Sequence, residues 1–203
     1  MSAYPLVLEG AAITALVVGG GRVALRKVRA LVAAGASVRV LAPVVDGELD
    51  VLATMNKSLR ITRGVYGLEQ LGDALFIIAA TNDARVNAQI ASDARAHGRL
   101  VNVVSAPELG NVVTPAVHRA GDIVLAVTTG GVPTAATRIR DALGRVIDDR
   151  YANAVRELAT LRQSLLERGE RDRWADATTT LVGPDFCEQI ESGCFGSRIA
   201  EWR

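Results

Sequence analysis

Residues 13–24 read Ile13-Thr14-Ala15-Leu16-Val17-Val18-Gly19-Gly20-Gly21-Arg22-Val23-Ala24. An apolar run ends in glycines. A stretch with helical spacing follows, its apolar positions falling at Val23, Leu25, Val28, Leu31 and Val32. The reading is strand, tight turn, helix. The turn carries G-x-G-x-x-A at Gly19, Gly21 and Ala24. Gly19 permits the sharp reversal, Gly21 lets a diphosphate approach the backbone with no Cβ in the way, and Ala24 keeps the helix close to the sheet. The helix start adds unbonded N–H groups and a partial positive charge. Dinucleotide binding is the expectation for this junction. The alternative is a glycine-rich turn that binds nothing.

Working outward, the first hundred residues alternate strand and helix. Ser37–Ala42 is a second strand, stopped by Pro43; a helix is expected over 46–56 and a short strand over 59–62. Leu75–Ala80 reads as the central strand, Asp83 as the cap of a helix running to His97, and Leu100–Val104 as another strand. The strands are near-continuous apolar runs, which predicts an α/β fold: a Rossmann-like parallel sheet with helices on both faces. Right-handed crossovers would gather the strand C-termini at one edge, where a ligand crevice belongs. After Val104 the pattern changes. Residues 106–113 are rich in turn formers, Ile123–Thr128 is a further strand, and a helix is expected from Pro133 to about residue 150. An amphipathic helix over 151–168 and short helices beyond Gly169 complete the chain.

The chain has 203 residues, 49% hydrophobic, 22% charged and 4% aromatic. That is a globular composition and excludes wholesale disorder. A formal net charge of +1 and few aromatics argue against a nucleic-acid partner. Of the basic residues only Lys27 and Lys57 are lysine. The arginine bias follows either from genome composition or from a need for planar forks that grip carboxylates and phosphates. No apolar run is long enough to span a bilayer and no signal-peptide pattern opens the chain, so a cytoplasmic protein without a membrane partner is expected. Cys187 and Cys194, with no nearby His, read as free thiols and not as a metal site.

Cofactor choice is less sharply written. The ribose-binding acid of such folds sits roughly 20 residues past the glycines, at the end of the second strand. Here that strand ends Val40-Leu41-Ala42-Pro43-Val44, with no acid before Asp46 and no arginine at Ala42 or Pro43 to accept a 2′-phosphate. NAD is preferred over NADP, with main-chain groups near Pro43 and Val44 reading the cofactor. The Thr81-Asn82-Asp83 turn either borders the crevice or only caps a helix.

Taken together the motifs resemble a known family. Gly19-Gly20-Gly21-Arg22-Val23-Ala24-Leu25-Arg26-Lys27 resembles the glycine-rich opening of the precorrin-2 dehydrogenase and sirohydrochlorin ferrochelatase family, also found as the N-terminal region of siroheme synthase. Ile78–Asp83, Val101–Val104, Thr128–Pro133 and Arg171–Trp174 are similar to its later motifs, in the same order. The resemblance covers about residues 5–175 and weakens in the last thirty. It implies an NAD-binding Rossmann-like domain over 1–111, a dimerisation region over 112–150 and a C-terminal helical domain over 151–203. It implies a homodimer that oxidises the tetrapyrrole precorrin-2 to sirohydrochlorin with NAD, some members also inserting Fe²⁺ as a second substrate.

Carried over residue by residue, NAD would be held by Gly19, Gly21, Arg22 and Val23, by Pro43 and Val44, and by Thr81. Asn102, Thr129, Gly130, Gly131 and Arg138 would serve the substrate. One position departs. Where the family has Asp after its Asn-Val-Val strand, this chain has Ser105. A serine hydroxyl is a poor base without a partner. Ser105 and His118 are the catalytic candidates, His118 because an imidazole is the commonest proton acceptor at physiological pH. Oxidation can survive the loss because the cofactor carries the hard step. Ferrochelation, which must strip pyrrole N–H protons, is expected to be weak or absent. A bifunctional enzyme and an NAD-binding module without turnover are the alternatives.

Overall fold

The computed structural model describes residues 3–203. The described residues divide into two compact units that meet in the chain between Thr114 and Pro115.

The first unit is built on five parallel strands: β1 (Thr14–Val18), β2 (Ser37–Ala42), β3 (Leu59–Arg63), β4 (Phe76–Ala79) and β5 (Leu100–Val103). Their order across the sheet is β3-β2-β1-β4-β5. Between them run α1 (Arg22–Ala33), α2 (Gly47–Met55) and α3 (Ala84–Ala96). Strand alternation sends side chains to both faces, and both are covered. Val17, Val38, Val40 and Ile78 meet Ala24, Val28 and Leu49 on one side. Leu16, Leu41, Ile77, Val101 and Val103 meet Ile90, Ala91 and Ala94 on the other. This is why β1 and β4 carry no polar residue between Ala15 and Val18 or between Phe76 and Ala79. The order reverses between β1 and β4, which opens a crevice at their carboxyl ends.

The turn-rich stretch after β5 closes the sheet edge. The Asn111 side chain accepts from Val101 N–H at 2.7 Å and donates to Arg99 C=O at 2.9 Å. Its main-chain N–H reaches Val101 C=O at 3.0 Å. One residue thus does the work of a short sixth strand and shields an open edge.

The second unit begins with an antiparallel hairpin, β6 (Ala116–Ala120) and β7 (Ile123–Val127). Five helices follow: α4 (Pro133–Gly144), α5 (Asp149–Glu167), α6 (Arg171–Leu181), α7 (Phe186–Glu191) and α8 (Phe195–Ala200). Tyr151, Leu161, Leu165, Leu181, Ile190 and Phe195 form their core, with Phe186 meeting Phe195 edge to face at 5.4 Å.

Two expectations are corrected. The helix expected from Pro133 to residue 150 ends at Gly144, because Asp148 starts a new one by accepting from Arg150 N–H at 2.9 Å. Strand β6 is not announced by the sequence: its Ala-Val-His-Arg-Ala alternation is too short and too polar to stand out.

Candidate functional site

A cleft of about 890 Å³ lies at the carboxyl ends of β1, β2, β4 and β5, wholly within the first unit. That volume suits a small-molecule site.

Its floor is the glycine turn. Gly19 has φ +128°, and a Cβ there would come within 2.3 Å of Ala80 O. A Cβ on Gly20 would come within 2.2 Å of Val44 O. Both glycines are therefore demanded by neighbouring backbone. Gly21 differs: a Cβ would meet nothing within 4 Å, because this glycine faces the open cleft. The turn is stapled to the end of β2 by Gly19 N–H to Leu41 O at 2.9 Å and Asp46 N–H to Gly20 O at 2.7 Å. Gly21 is the N-cap of α1. It offers no side-chain cap, and no acid stands in the first turn. The first N–H groups of α1 are thus left for an anion. These residues fit the diphosphate of a dinucleotide, with Arg22 and Val23 on the same wall.

Pro43, Val44 and Asp46 line the cleft beyond the end of β2, and Tyr66 is also on its wall. Val44 is 79% exposed. The Asp46 carboxylate caps α2 by accepting from Glu48 N–H at 3.0 Å. Tyr66 is held by its hydroxyl, which donates to Asp93 Oδ2 at 3.0 Å. Burial, and then the Asp93 carboxylate, push its phenol well above the ordinary tyrosine range.

At the ends of β4 and β5 the wall is made by Thr81, Asp83 and Ser105. Behind them sits Asn87, 2% exposed, on α3. It accepts from Thr81 N–H at 3.2 Å and from the Thr81 hydroxyl at 2.7 Å. It donates to Thr81 C=O at 3.0 Å and to Ser105 Oγ at 3.3 Å. Asn87 and Asp46 are the residues sequence reasoning undervalued. For Asn87 a signal existed. The buried stripe of α3 is Asn87, Ile90, Ala91 and Ala94, so an amide occupies a core position of the helix.

The cleft gathers Gly19, Gly21, Arg22, Val23, Pro43, Val44, Thr81 and Ser105 from the sequence expectation. Thr81 comes with a difference: its N–H, C=O and hydroxyl are all engaged by Asn87 or Asp83, so it shapes the wall more than it offers groups. Asn102 is 6% exposed and absent from the cleft wall; its amide donates to Val112 C=O at 3.0 Å and pins the segment that closes the sheet. His118 is committed inside the second unit. Its Nε2 lies 2.8 Å from Ile147 O, and since a carbonyl can only accept, that nitrogen carries the proton. Its Nδ1 abuts Gly144, where a Cβ would sit 2.8 Å away. Thr129 caps the turn into α4 by donating to Val132 O at 2.6 Å. Gly130 and Gly131 have φ +61° and +117°, and Arg138 is exposed on α4.

A dinucleotide site at the switch point of a doubly wound sheet defines a Rossmann-type NAD(P)-binding protein. The sequence profile of the family described as "Putative NAD(P)-binding" matches residues 6–116, and the chain belongs to that family. It is 45% identical over 138 residues to a siroheme synthase of Pseudomonas entomophila (strain L48), covering 68% of this chain and 30% of that protein. It is 39% identical over 190 residues to the siroheme synthase of Chromobacterium violaceum, covering 91% of this chain and 40% of that protein. The chain therefore spans well under half the length of these relatives. A solved structure of SirC, a precorrin-2 dehydrogenase, superposes with a TM-score of 0.78 at 28% identity, over 98% of this chain and 100% of that one. The resemblance read from the motifs is borne out, and site and comparisons agree on NAD as the cofactor. No helix among the described residues is long and apolar enough to cross a membrane.

Proposed function

We propose that the protein is an NAD-dependent precorrin-2 dehydrogenase of siroheme biosynthesis, acting in the cytoplasm. The observation that carries this is the open Gly21–Val23 turn in a cleft that continues to Ser105. Bound NAD⁺ supplies a hydride acceptor; precorrin-2 loses a hydride and a proton and becomes sirohydrochlorin. The chain's part is to hold and orient. Gly19, Gly21, Arg22 and Val23 take the diphosphate, Pro43 and Val44 the adenosine end, and the wall at Thr81 the other end. Asp46 supports NAD over NADP, since its carboxylate on the cleft wall opposes a 2′-phosphate.

The substrate is a polyacid. Its carboxylates call for groups such as Arg138 and the uncapped start of α4 after Gly130 and Gly131. Asn102 and Thr129 support that reading only through the backbone they hold in place. Neither catalytic candidate supports base chemistry. Ile147 O holds the His118 Nε2–H while Nδ1 lies against Gly144, and among the described residues Ser105 has no base among its hydrogen-bond partners. We therefore keep ferrochelation, with Fe²⁺ as substrate, as weak or absent. A homodimer is favoured by apolar side chains left exposed in the second unit, Val117 and Val124 on the hairpin and Ile139 and Leu143 on α4. The division into a cofactor domain (1–111), a dimerisation region (112–150) and a helical domain (151–203) belongs to the same proposal.

Anaerobic incubation of the protein with NAD⁺ and precorrin-2, followed by NADH absorbance, tests the reading. Stoichiometric NADH and sirohydrochlorin are expected. NAD⁺ binding without turnover would instead support a cofactor-binding module, the second reading that Ser105 motivates.

A further inference from the structure

The hydrogen-bond network behind the cleft assigns a polarity to Ser105. An Asn amide can be turned either way, and the environment must decide. Here it decides twice. Thr81 N–H can only donate, so the Asn87 atom 3.2 Å away is the oxygen. Thr81 C=O can only accept, so the Asn87 atom 3.0 Å away is the nitrogen. The amide nitrogen has two protons. One goes to Thr81 C=O and the other to Ser105 Oγ at 3.3 Å. The amide oxygen is filled as well, by Thr81 N–H and by the Thr81 hydroxyl at 2.7 Å. All four bonding positions of a 2% exposed side chain are used, and none can be reversed without stranding buried groups.

The consequence falls on the serine. Its oxygen accepts from Asn87, so its own proton points away from Asn87. Ser105 is exposed on the cleft wall, and no partner among the described residues takes that proton. We propose that Asn87 is a positioning residue that turns the Ser105 proton toward the bound ligand, so that Ser105 donates a hydrogen bond to a carbonyl or carboxylate oxygen there. Two oxygens have the right chemistry: the carboxamide of the cofactor and a side-chain carboxylate of the substrate. The inference rests on the dehydrogenase reading for its ligand and on the protein alone for its polarity.

Two measurements on the whole protein test it. The first uses ¹⁵N-labelled protein without ligand. In the wild type both Asn87 side-chain amide protons should be protected from exchange, and Ser105→Ala should shift and free one of them. Two rapidly exchanging Asn87 amide protons in the wild type would overturn the proposed polarity. The second uses NAD⁺ binding and precorrin-2 oxidation. Loss of one neutral hydrogen bond predicts a rise of about three- to tenfold in the NAD⁺ Kd or in the precorrin-2 KM, with the shape of the kcat–pH profile unchanged. A rise in Kd identifies the carboxamide as the acceptor; a rise in KM alone identifies the substrate. Ser105→Thr, which keeps the hydroxyl, should restore most of the loss. Asn87→Asp, which puts an acceptor where the amide donor was, should reproduce the Ser105→Ala defect by turning the serine proton inward. If that variant fails to fold, Ser105→Ala and Ser105→Thr decide alone. No change in Kd or KM in Ser105→Ala, or loss of an ionisation from its kcat–pH profile, would overturn the proposal. A wild-type protein that binds NAD⁺ but leaves precorrin-2 untouched would sink the dehydrogenase reading, while the spectrum and the NAD⁺ Kd still decide the polarity.

Discussion

The two ends of the cleft are built from different material. At the β1–α1 junction the ligand-facing groups are backbone: glycine N–H groups and the start of a helix, fixed by contacts that a Cβ would break. At the β4 and β5 ends they are side chains, held by the buried amide of Asn87. A backbone site depends on the absence of side chains and leaves a local sequence signature. A side-chain network depends on residues far apart in the chain and leaves almost none.

Substitutions in the glycine turn should separate folding from binding, and they carry the largest expected effect. Gly19→Ala puts a methyl within 2.3 Å of Ala80 O at φ +128°. It should cost about 3 kcal/mol or more and lower Tm markedly. Gly21→Ala meets nothing and should cost about 1 kcal/mol at most, as a poorer N-cap. It should nevertheless weaken NAD⁺ by about tenfold or more, because the methyl occupies the diphosphate's approach. Thermal melts and NAD⁺ titration on both variants check the contrast.

At the other end stability and architecture should fail together. Asn87→Leu keeps the volume and strands Thr81 N–H and C=O, at a cost of about 1–3 kcal/mol in denaturant unfolding. An unchanged midpoint would mean that the network is ornamental. Asp46→Ala should have a smaller effect on stability, about 1 kcal/mol from the lost α2 cap, and should narrow the preference for NAD over NADP.

The smallest effect concerns pH. Burial, and then the neighbouring Arg26 charge, hold the Lys27 ammonium below the ordinary lysine range, where it donates to Thr114. The folded chain therefore binds fewer protons than the unfolded chain between the lowered value and 10.5. Stability from this group rises with pH across that window. Lys27→Met should flatten the rise; an identical slope of Tm against pH in both proteins would contradict it.

The same contrast explains what was legible in the sequence. The Gly19–Ala24 turn and the helix cap at Asp83 depend on neighbours a few residues apart. Asn87 bonds to Thr81 and Ser105, and a lone Asn in Ala-Arg-Val-Asn-Ala reads as a solvated helix position until its place on the Ile90–Ala94 stripe is counted. Asp46 stood too far past β2 to look like a cleft residue, until the Asp46 N–H to Gly20 O bond folded it back. The break at residues 145–148 was hidden because helical spacing continues on both sides of it. His118 is a candidate by its chemistry alone, and Ile147 O engages its Nε2 through a contact 29 residues away in the chain.

The central claim is that a dinucleotide lies over the β1–α1 junction. Calorimetric titration of NAD⁺ into the wild-type protein and into Gly21→Val tests it most directly. One saturable site in the wild type, lost in a variant that still melts cooperatively, is the predicted result. No heat of binding in the wild type, or equal affinity in the two, would contradict it.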